Sequence, residues 1–509
     1  MLKNLVAISA IAVVSLLCSI ARTEAAMQLD ISSYVPFAAS GSGYESFLRV
    51  INTGSVLTPV MVSMIDPATG AVSASGQLTA GLAAGGAATY TAQQIESALG
   101  TLIPAVERPR IRVAASAATS IEVQSFLLQP NSAFNEISAG QSGASVTVSN
   151  YVPAAAAPSG YQSYLRVINT GASATTVTVT RIDPSTGSTG TAATLIASLL
   201  AGAATTFSAA QIEAVLGVPM AASDRPQLLV SASSTLNVQS FLVQPGGAFT
   251  DISSYQSGTT VDVRTYVPAA TTGYTTYLRM INNGSVATPV TATLLDATTG
   301  LPGVSGTIIA NLPVNGAVTL TSAQIEAALG IVIPATSRPR LRVAASSSLT
   351  VESFLLQPNG AFNELSGAQT GTSVNVGTYV PAADAGTGYM SYLRVINTGA
   401  TATPVTVALI DAATGMTGTT TTLISSMPAG ASQTLSASQV EGALGTPVAA
   451  GTRLRIQISG ANLLEVQSFL IQPGGAFTDV SGVTIDTAAT MTANNASQAA
   501  TAVVSWVMN

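Results

Sequence analysis

Apolar and polar residues alternate along much of this chain with a period of two. Thr175-Thr176-Val177-Thr178-Val179-Thr180 alternates threonine with valine over most of its length, the pattern of a half-buried strand. Arg340-Leu341-Arg342-Val343 does the same, which turns Leu341 and Val343 inward and both arginines outward. Turn residues separate these runs, in strings such as Asn-Thr-Gly, Asp-Pro-Ala-Thr-Gly and Gln-Pro-Gly-Gly. One short helix breaks the series. Thr91, Ser208, Thr321 and Ser436 each stand three residues before a glutamine, which makes a capping box. Gly100, Gly217, Gly330 and Gly445 follow the last apolar position, where a left-handed cap favours glycine.

The elements recur four times. Tyr-Val-Pro begins at Tyr34, Tyr151, Tyr266 and Tyr379, at intervals of 117, 115 and 113 residues. Each copy continues through a Leu-Arg-Val-Ile-Asn strand (Leu-Arg-Met-Ile-Asn in the third), an Asp-x-x-Thr-Gly turn, the helix and a closing Ser-Phe-Leu-x-Gln-Pro. A period near 115 matches one independently folding domain rather than a solenoid unit. Seven or eight strands and one helix per copy predict a two-sheet sandwich. The boundaries expected are 1–25 for a signal peptide, 26–145, 146–260, 261–373 and 374–482 for the four repeats, and 483–509 for a tail. Short linkers such as Gln141-Ser142-Gly143 predict a rigid row of domains, roughly 140 Å long if each is a ~35 Å globule.

The strings Tyr-Leu-Arg-Val-Ile-Asn-Thr-Gly, Ile-Asp-Pro-x-Thr-Gly and Val-Gln-Ser-Phe-Leu resemble tandem Ig-like β-sandwich repeats of secreted and surface proteins of Gram-negative bacteria. The likeness covers nearly all of residues 29–482. It implies an all-β chain of four tandem Ig-like sandwiches, each with one short helix, and a structural, assembly or adhesive role. It carries no catalytic residues.

Charge and composition narrow the chemistry. The 509 residues hold 17 basic and 23 acidic side chains, no histidine and one cysteine. Without histidine, Ser-His-Asp and Cys-His catalysis and histidine metal sites are excluded. Cys18 lies in an N-terminal apolar run behind Lys3, which reads as a secretory signal cleaved after Ala25. The run is shorter than the roughly 20 residues needed to span a bilayer, so no membrane span is expected after cleavage. Charged residues make up 8% of the chain, against roughly 25% in an ordinary soluble domain. With a net charge of −6 and no basic stripe, no nucleic-acid partner is expected.

Several recurring positions are candidates for chemistry. Arg49, Arg166, Arg279 and Arg394 each follow an aromatic residue by two positions, so ring and guanidinium share a strand face. They are expected to pair with the helix glutamates Glu96, Glu213, Glu326 and Glu441, or with the turn aspartates. A second set, Arg110 and Arg112, recurs as Arg340 and Arg342 and as Arg453 and Arg455, with Gln227 and Leu229 in copy two. These are expected to meet Glu122, Glu352 and Glu465 on the facing strand. The carboxylates form no Asp-x-Asp cluster or calcium loop, so neither a glycosidase, a metal site nor any other cofactor is expected.

The functional expectation is a secreted structural protein of the cell surface, a layer, sheath or filament subunit, with self-association as its partner chemistry. The alternative is an adhesin or glycan-binding array that meets a cell-surface glycan or envelope component. Val483, Thr484 and Ile485 read as a fifth lead strand without a body after it. An unpaired terminal strand invites a neighbouring subunit, so these three residues are the expected assembly strand.

Overall fold

The computed structural model describes residues 27–482, apart from 116–119, 131–133, 246, 474 and 476. The first repeat holds β1 (Gln28–Ile31), β2 (Glu45–Asn52), β3 (Thr58–Ile65), β4 (Val72–Leu82), β5 (Ala87–Thr91), β6 (Arg110–Ala115), β7 (Ile121–Leu128) and β8 (Phe134–Glu136), with the helix Ala92–Leu99 between β5 and β6. The second holds β9 (Gln141–Val148), β10 (Gln162–Asn169), β11 (Thr175–Ile182), β12 (Ala193–Leu199), β13 (Ala204–Ser208), β14 (Gln227–Val243) and β15 (Phe249–Asp251). The third runs through β16 (Gln256–Val263), β17 (Thr275–Asn282), β18 (Thr288–Leu295), β19 (Pro302–Leu312), β20 (Ala317–Thr321), β21 (Arg340–Leu356) and β22 (Phe362–Glu364). The fourth runs through β23 (Gln369–Val376), β24 (Met390–Asn397), β25 (Thr403–Ile410), β26 (Thr421–Met427), β27 (Ser432–Ser436), β28 (Arg455–Ile471) and β29 (Phe477–Asp479). The chain is all-β and repeated, as the alternation predicts.

One long strand organises each repeat. In the second, β14 pairs with β11 through its first half and with β10 through its second, so a single sheet curls over its own core in the order β12-β11-β14-β10-β13. Repeats three and four repeat that order on β21 and β28. In the first repeat the same path is divided between β6 and β7, which leaves two four-stranded sheets facing each other. Inward residues such as Val177, Val179, Leu228 and Val230 fill the core between the two halves.

All four capping boxes form. Thr91 Oγ1 accepts from Gln94 N at 3.3 Å, Gln94 Oε1 accepts from Thr91 N at 2.9 Å, and Gly100 closes the helix at φ 67°. Beyond the expected helix, repeats one, two and four carry a 3-10 turn, such as Phe37–Ser42, just after Tyr-Val-Pro.

Two expectations change. The boundary at 145/146 falls inside β9, which pairs along its length with β14 of the second repeat. The boundaries at 260/261 and 373/374 fall inside β16 and β23 in the same way. The lead strand therefore belongs to the body that follows it.

The domains also do not form a row; they close into a ring. Ala204 N donates to Pro67 O, Ala317 N to Pro184 O, Ser432 N to Ala297 O, and Ala87 N back to Ala412 O, at 2.7–2.8 Å. Repeat four thus docks on repeat one with the same bond that joins the other neighbours. At each junction the Asp-x-x-Thr-Gly turn lies flat on the next domain. Gly70, Gly187, Gly300 and Gly415 hold φ of 70–72°, and a Cβ on any of them would collide with backbone of that domain. Four small apolar clusters seal the junctions, for example Phe126 with Val380, Leu470 and Val480 between repeats one and four.

Candidate functional site: the junctions and the axial cup

The recurring arginines join domains instead of meeting their own helices. Arg49 is buried and donates from Nε to Gly377 O (2.6 Å), from Nη1 to Thr89 Oγ1 (3.0 Å) and from Nη2 to Arg453 O (2.9 Å). Arg166 reaches Ser32 O and Arg108 O, Arg279 reaches Ser149 O and Arg225 O, and Arg394 reaches Arg264 O and Arg338 O. The expected pairing with helix glutamates is corrected by this geometry: each guanidinium satisfies two carbonyls at the edge of the preceding domain. Burial pulls Arg49, Arg166 and Arg279 down to about 10, with neighbouring arginines adding to the effect for Arg49 and Arg166. They remain cations at neutral pH.

The helix glutamates serve another purpose. Glu96 accepts from the Tyr34 hydroxyl (3.3 Å), Phe37 N (2.7 Å) and Ile103 N (3.1 Å), tying lead strand, 3-10 turn and helix into one unit. Glu213, Glu326 and Glu441 accept from Tyr151, Tyr266 and Tyr379 in the same way. Burial, followed by the adjacent carboxylate charge, pushes those four phenols far above the ordinary tyrosine range.

The second arginine set is corrected as well. Arg110 and Arg112 both pair with Asp30 at 2.6 Å, and Arg340 and Arg342 both pair with Asp262 at 2.7 Å, in place of the expected glutamates. The strand starts also show that Arg455 matches Arg110, whereas Arg453 matches Arg108. Arg110, Arg340 and Arg455 each send Nη1 into the next domain, to Gly202 O, Gly430 O and Gly85 O. Gln227 makes the equivalent bond to Asn315 O at 2.7 Å. An amide replaces a guanidinium there without losing the junction.

The closing Gln-Pro hides a further interface residue that turn chemistry alone did not single out. Gln129 accepts from Phe249 N and donates to Phe249 O, so its amide caps both backbone groups of a residue in the next domain. Gln244 does this to Phe362, Gln357 to Phe477 and Gln472 to Phe134. The signal was the recurrence of glutamine, not merely a polar residue, before each proline.

These bonds gather the last strand of every repeat around one axis. β8 packs on β15, β15 on β22, β22 on β29, and β29 back on β8. Glu136, Asp251, Glu364 and Asp479 end those strands and line a cavity of about 50 Å³. Glu136, Asp251 and Asp479 accept from the backbone N–H of Ser138, Ser253 and Ser481 at 2.8–3.0 Å, and Glu364 accepts from Ser366 N. Among the described residues, Oδ2 of Asp251 and of Asp479 meets no donor. Burial, reinforced by the neighbouring acids, pushes Asp479 up to about 7 and Asp251 and Glu364 well above the carboxylate range. Burial alone pushes Glu136 up to about 7. Four acids facing one small cavity do not all ionise, so the ring holds protons at neutral pH. Among the described residues, no three His, Cys, Asp or Glu side chains come together in a metal-binding arrangement.

Above this ring lies a cup of about 850 Å³, walled by the linkers at Ser138–Gly140, Ser253–Tyr255 and Ser366–Ala368 and by Gly482. Arg264, Arg340, Arg342, Asp262 and Glu465 supply its charged wall. Arg264 clasps Glu465 with Nε and Nη2 at 3.0 and 3.1 Å, an ion pair between repeats three and four. The cup is polar, open and mixed in charge. Val483, Thr484 and Ile485 lie outside the described residues.

No family model matches the chain, and no curated protein matches it. Among solved structures it is similar to the Anabaena sensory rhodopsin transducer, at 12% identity over 19% of this chain and 79% of the other, with a TM-score of 0.16. Thermotoga maritima 1070 is similar at 12% identity over 23% of this chain and 90% of the other, also at 0.16. Scores that low carry no argument about fold or function.

Proposed function

We propose that this protein is a secreted structural subunit of the bacterial cell surface, with the closed four-domain ring as its building block. The observation that carries this reading is the pair of outer edge strands β4 and β19. Each runs for 11 residues, whereas their counterparts β12 and β26 run for seven. Among the described residues each pairs with a neighbouring strand on one side only, and neither contains a charged residue. Long uncharged edges are templates for strand addition, which soluble proteins ordinarily block with lysine or proline inside the strand. Repeats one and three stand on opposite sides of the ring, so contacts at β4 and β19 would propagate a linear chain.

The same two repeats display exposed apolar side chains, including Leu57, Leu102 and Val106 in one and Val286, Leu301 and Val332 in the other. The low surface charge weakens repulsion between copies. The resemblance to Ig-like repeats of Gram-negative surface proteins and the leader-like N-terminus support an exported setting. Among the described residues, no helix is long and apolar enough to cross a membrane.

Electron microscopy and light scattering of purified protein test the reading. Rows of rings that dissociate on Gln77→Lys with Thr307→Lys, both exposed edge positions, are the expected result. Single rings at every concentration would overturn it.

A second reading, a glycan-binding adhesin, draws on the cup, whose volume and mixed arginine, carboxylate and Tyr255 wall suit a short oligosaccharide. Titration calorimetry with surface glycans of the producing cell would detect it, and loss of binding on Arg342→Ala would place it in the cup.

A further inference from the structure

In three of the four repeats the lead strand covers the outer edge of the long strand on both sides of its central bulge. In repeat two, Gln141, Ser142 and Gly143 lie opposite Val238, Asn237 and Leu236. Gln256–Gly258 covers Val351–Leu349 in repeat three, and Gln369–Gly371 covers Val466–Leu464 in repeat four. In repeat one, β1 covers only Ile111–Ala114. Among the described residues, no strand pairs with Ile121–Val123 on that edge. The Ile121 amide instead donates to the thioether sulfur of Met27 at 3.1 Å, a weak acceptor. If the leader is cleaved after Ala25, one residue remains ahead of Met27, too few to fill the edge from the N-terminal side.

The end of repeat four is delivered to this edge. Gln239 Nε2 donates to Ile137 O and Ala139 O, and Gln141 follows two residues later as the first covering residue. Gln467 holds Leu365 O and Gly367 O, with Gln369 two residues on. Gln124 holds Val480 O at 3.3 Å and Gly482 O at 3.0 Å in the same manner. Two residues beyond Gly482 is Thr484. By that spacing, a continuation of the chain would bring Thr484 opposite Val123, Ile485 opposite Glu122 and Asp486 opposite Ile121.

We propose that Thr484–Asp486, from the chain's own C-terminal segment, lies antiparallel on Ile121–Val123 and locks the fourth repeat to the first. This replaces the pairing with another subunit expected from the sequence, and it does not depend on the proposed function. In the other repeats the position of Asp486 is glycine (Gly143, Gly258, Gly371), after which the lead strand passes onto the first half of the long strand. In repeat one β1 already occupies that half, so the tail leaves the sheet after three residues and needs no glycine to continue.

A disulfide across the pair tests the contact. Asn237 Nδ2 donates to Ser142 Oγ at 3.1 Å, so side chains at the equivalents of Glu122 and Ile485 touch. The chain has no cysteine after Cys18. Oxidised Glu122→Cys with Ile485→Cys is expected to give an intramolecular disulfide whose yield is unchanged on dilution, while Gln77→Cys with Ile485→Cys gives none. Covalent dimers and ladders that grow with concentration would place the tail on another copy and overturn the proposal. Two free thiols in folded protein would overturn it as well. A second measurement needs no cysteine: deleting 483–509 is expected to speed amide exchange in the peptide covering Ile121–Val123 by about tenfold or more. An unchanged rate would refute the contact. Row formation through β4 and β19 is read separately on the truncated ring, so failure of one idea leaves the other standing.

Discussion

Arg455 of the fourth repeat donates from Nη1 to the carbonyl oxygen of Gly85 in the first at 2.7 Å, although 370 positions separate them in the chain. The bond makes the first and last domains neighbours and is one of four equivalents around the ring. Gln227 makes its counterpart with an amide, so the requirement is a donor of sufficient reach and not a positive charge. Arg455→Gln is therefore expected to keep the junction, while Arg455→Ala costs about 1–3 kcal/mol by orphaning the carbonyl. Urea denaturation of both variants checks the order. Equal losses would mean that the charge, facing Glu122, matters more than the bond.

Two glycines with nearly the same backbone angles separate a local role from an interface role. Gly217 closes a helix at φ 65°, and a Cβ there would meet nothing within 4 Å. Gly187 sits at φ 71° with the backbone around Val314 against it. Gly217→Ala should cost about 1 kcal/mol, the price of a left-handed alanine. Gly187→Ala should cost at least about 2 kcal/mol, because the junction between repeats two and three must also move. Solution scattering is expected to show a larger radius of gyration for the second variant only.

The axial acids give the ring a signed pH response. A carboxyl whose folded value is raised keeps its proton after the unfolded chain has released its own. For Glu136 and Asp479 the stability this brings is complete below about pH 4 and is lost as pH rises through about 7, and Asp251 and Glu364, raised well above the carboxylate range, act in the same direction. Asp479 illustrates the balance: burial and Glu136 raise it, while the Ser481 contacts and Arg264 pull it down. Across the four acids the change should be on the order of a few kcal/mol. The melting temperature is expected to be higher at pH 5 than at pH 8, and Asp479→Asn should narrow the gap by raising the pH 8 value. A variant melting below the parent at pH 8 would show that the ionised acid stabilises the ring.

Much of this was legible in the chain. Thr91 with Gln94, and Gly100 after Leu99, mark the first helix in the sequence itself, because capping is local chemistry. The partners of Arg49 were not legible, since Gly377 and Arg453 lie over 300 residues away and a row or a ring would use the same residues at its inner junctions. One signal did distinguish them. In an open array the terminal copies lose their unused interface and become polar caps. Here copies one and four keep the full set: Gln472 before its proline, Phe134 to receive it, Gly415 in its turn. Every repeat retained both of its faces because every repeat has two neighbours.

The third repeat breaks one rule of the ring, and that break yields the last prediction. Gln124, Gln239 and Gln467 stand opposite Arg49, Arg166 and Arg394, and their amides hold the carbonyls of the linker that passes beneath. The third repeat places Glu352 opposite Arg279, and neither carboxyl oxygen makes a well-formed hydrogen bond among the described residues. Burial pushes Glu352 up to about 7, with the Arg279 charge and the Ser149 hydroxyl pulling the other way. Above that pH the ionised group has a cationic neighbour but cannot donate to the linker carbonyls of Ile252 and Ser254, the counterparts of Ile137 and Ala139. A buried ion pair seldom repays its desolvation, whereas an amide here would gain two donors. Glu352→Gln is expected to stabilise the protein by about 1 kcal/mol at pH 8 and by less at pH 5, where the carboxyl is already protonated. Denaturant midpoints at the two pH values measure this directly. A loss at pH 8 would mean that Arg279 depends on its carboxylate partner more than the linker needs the amide.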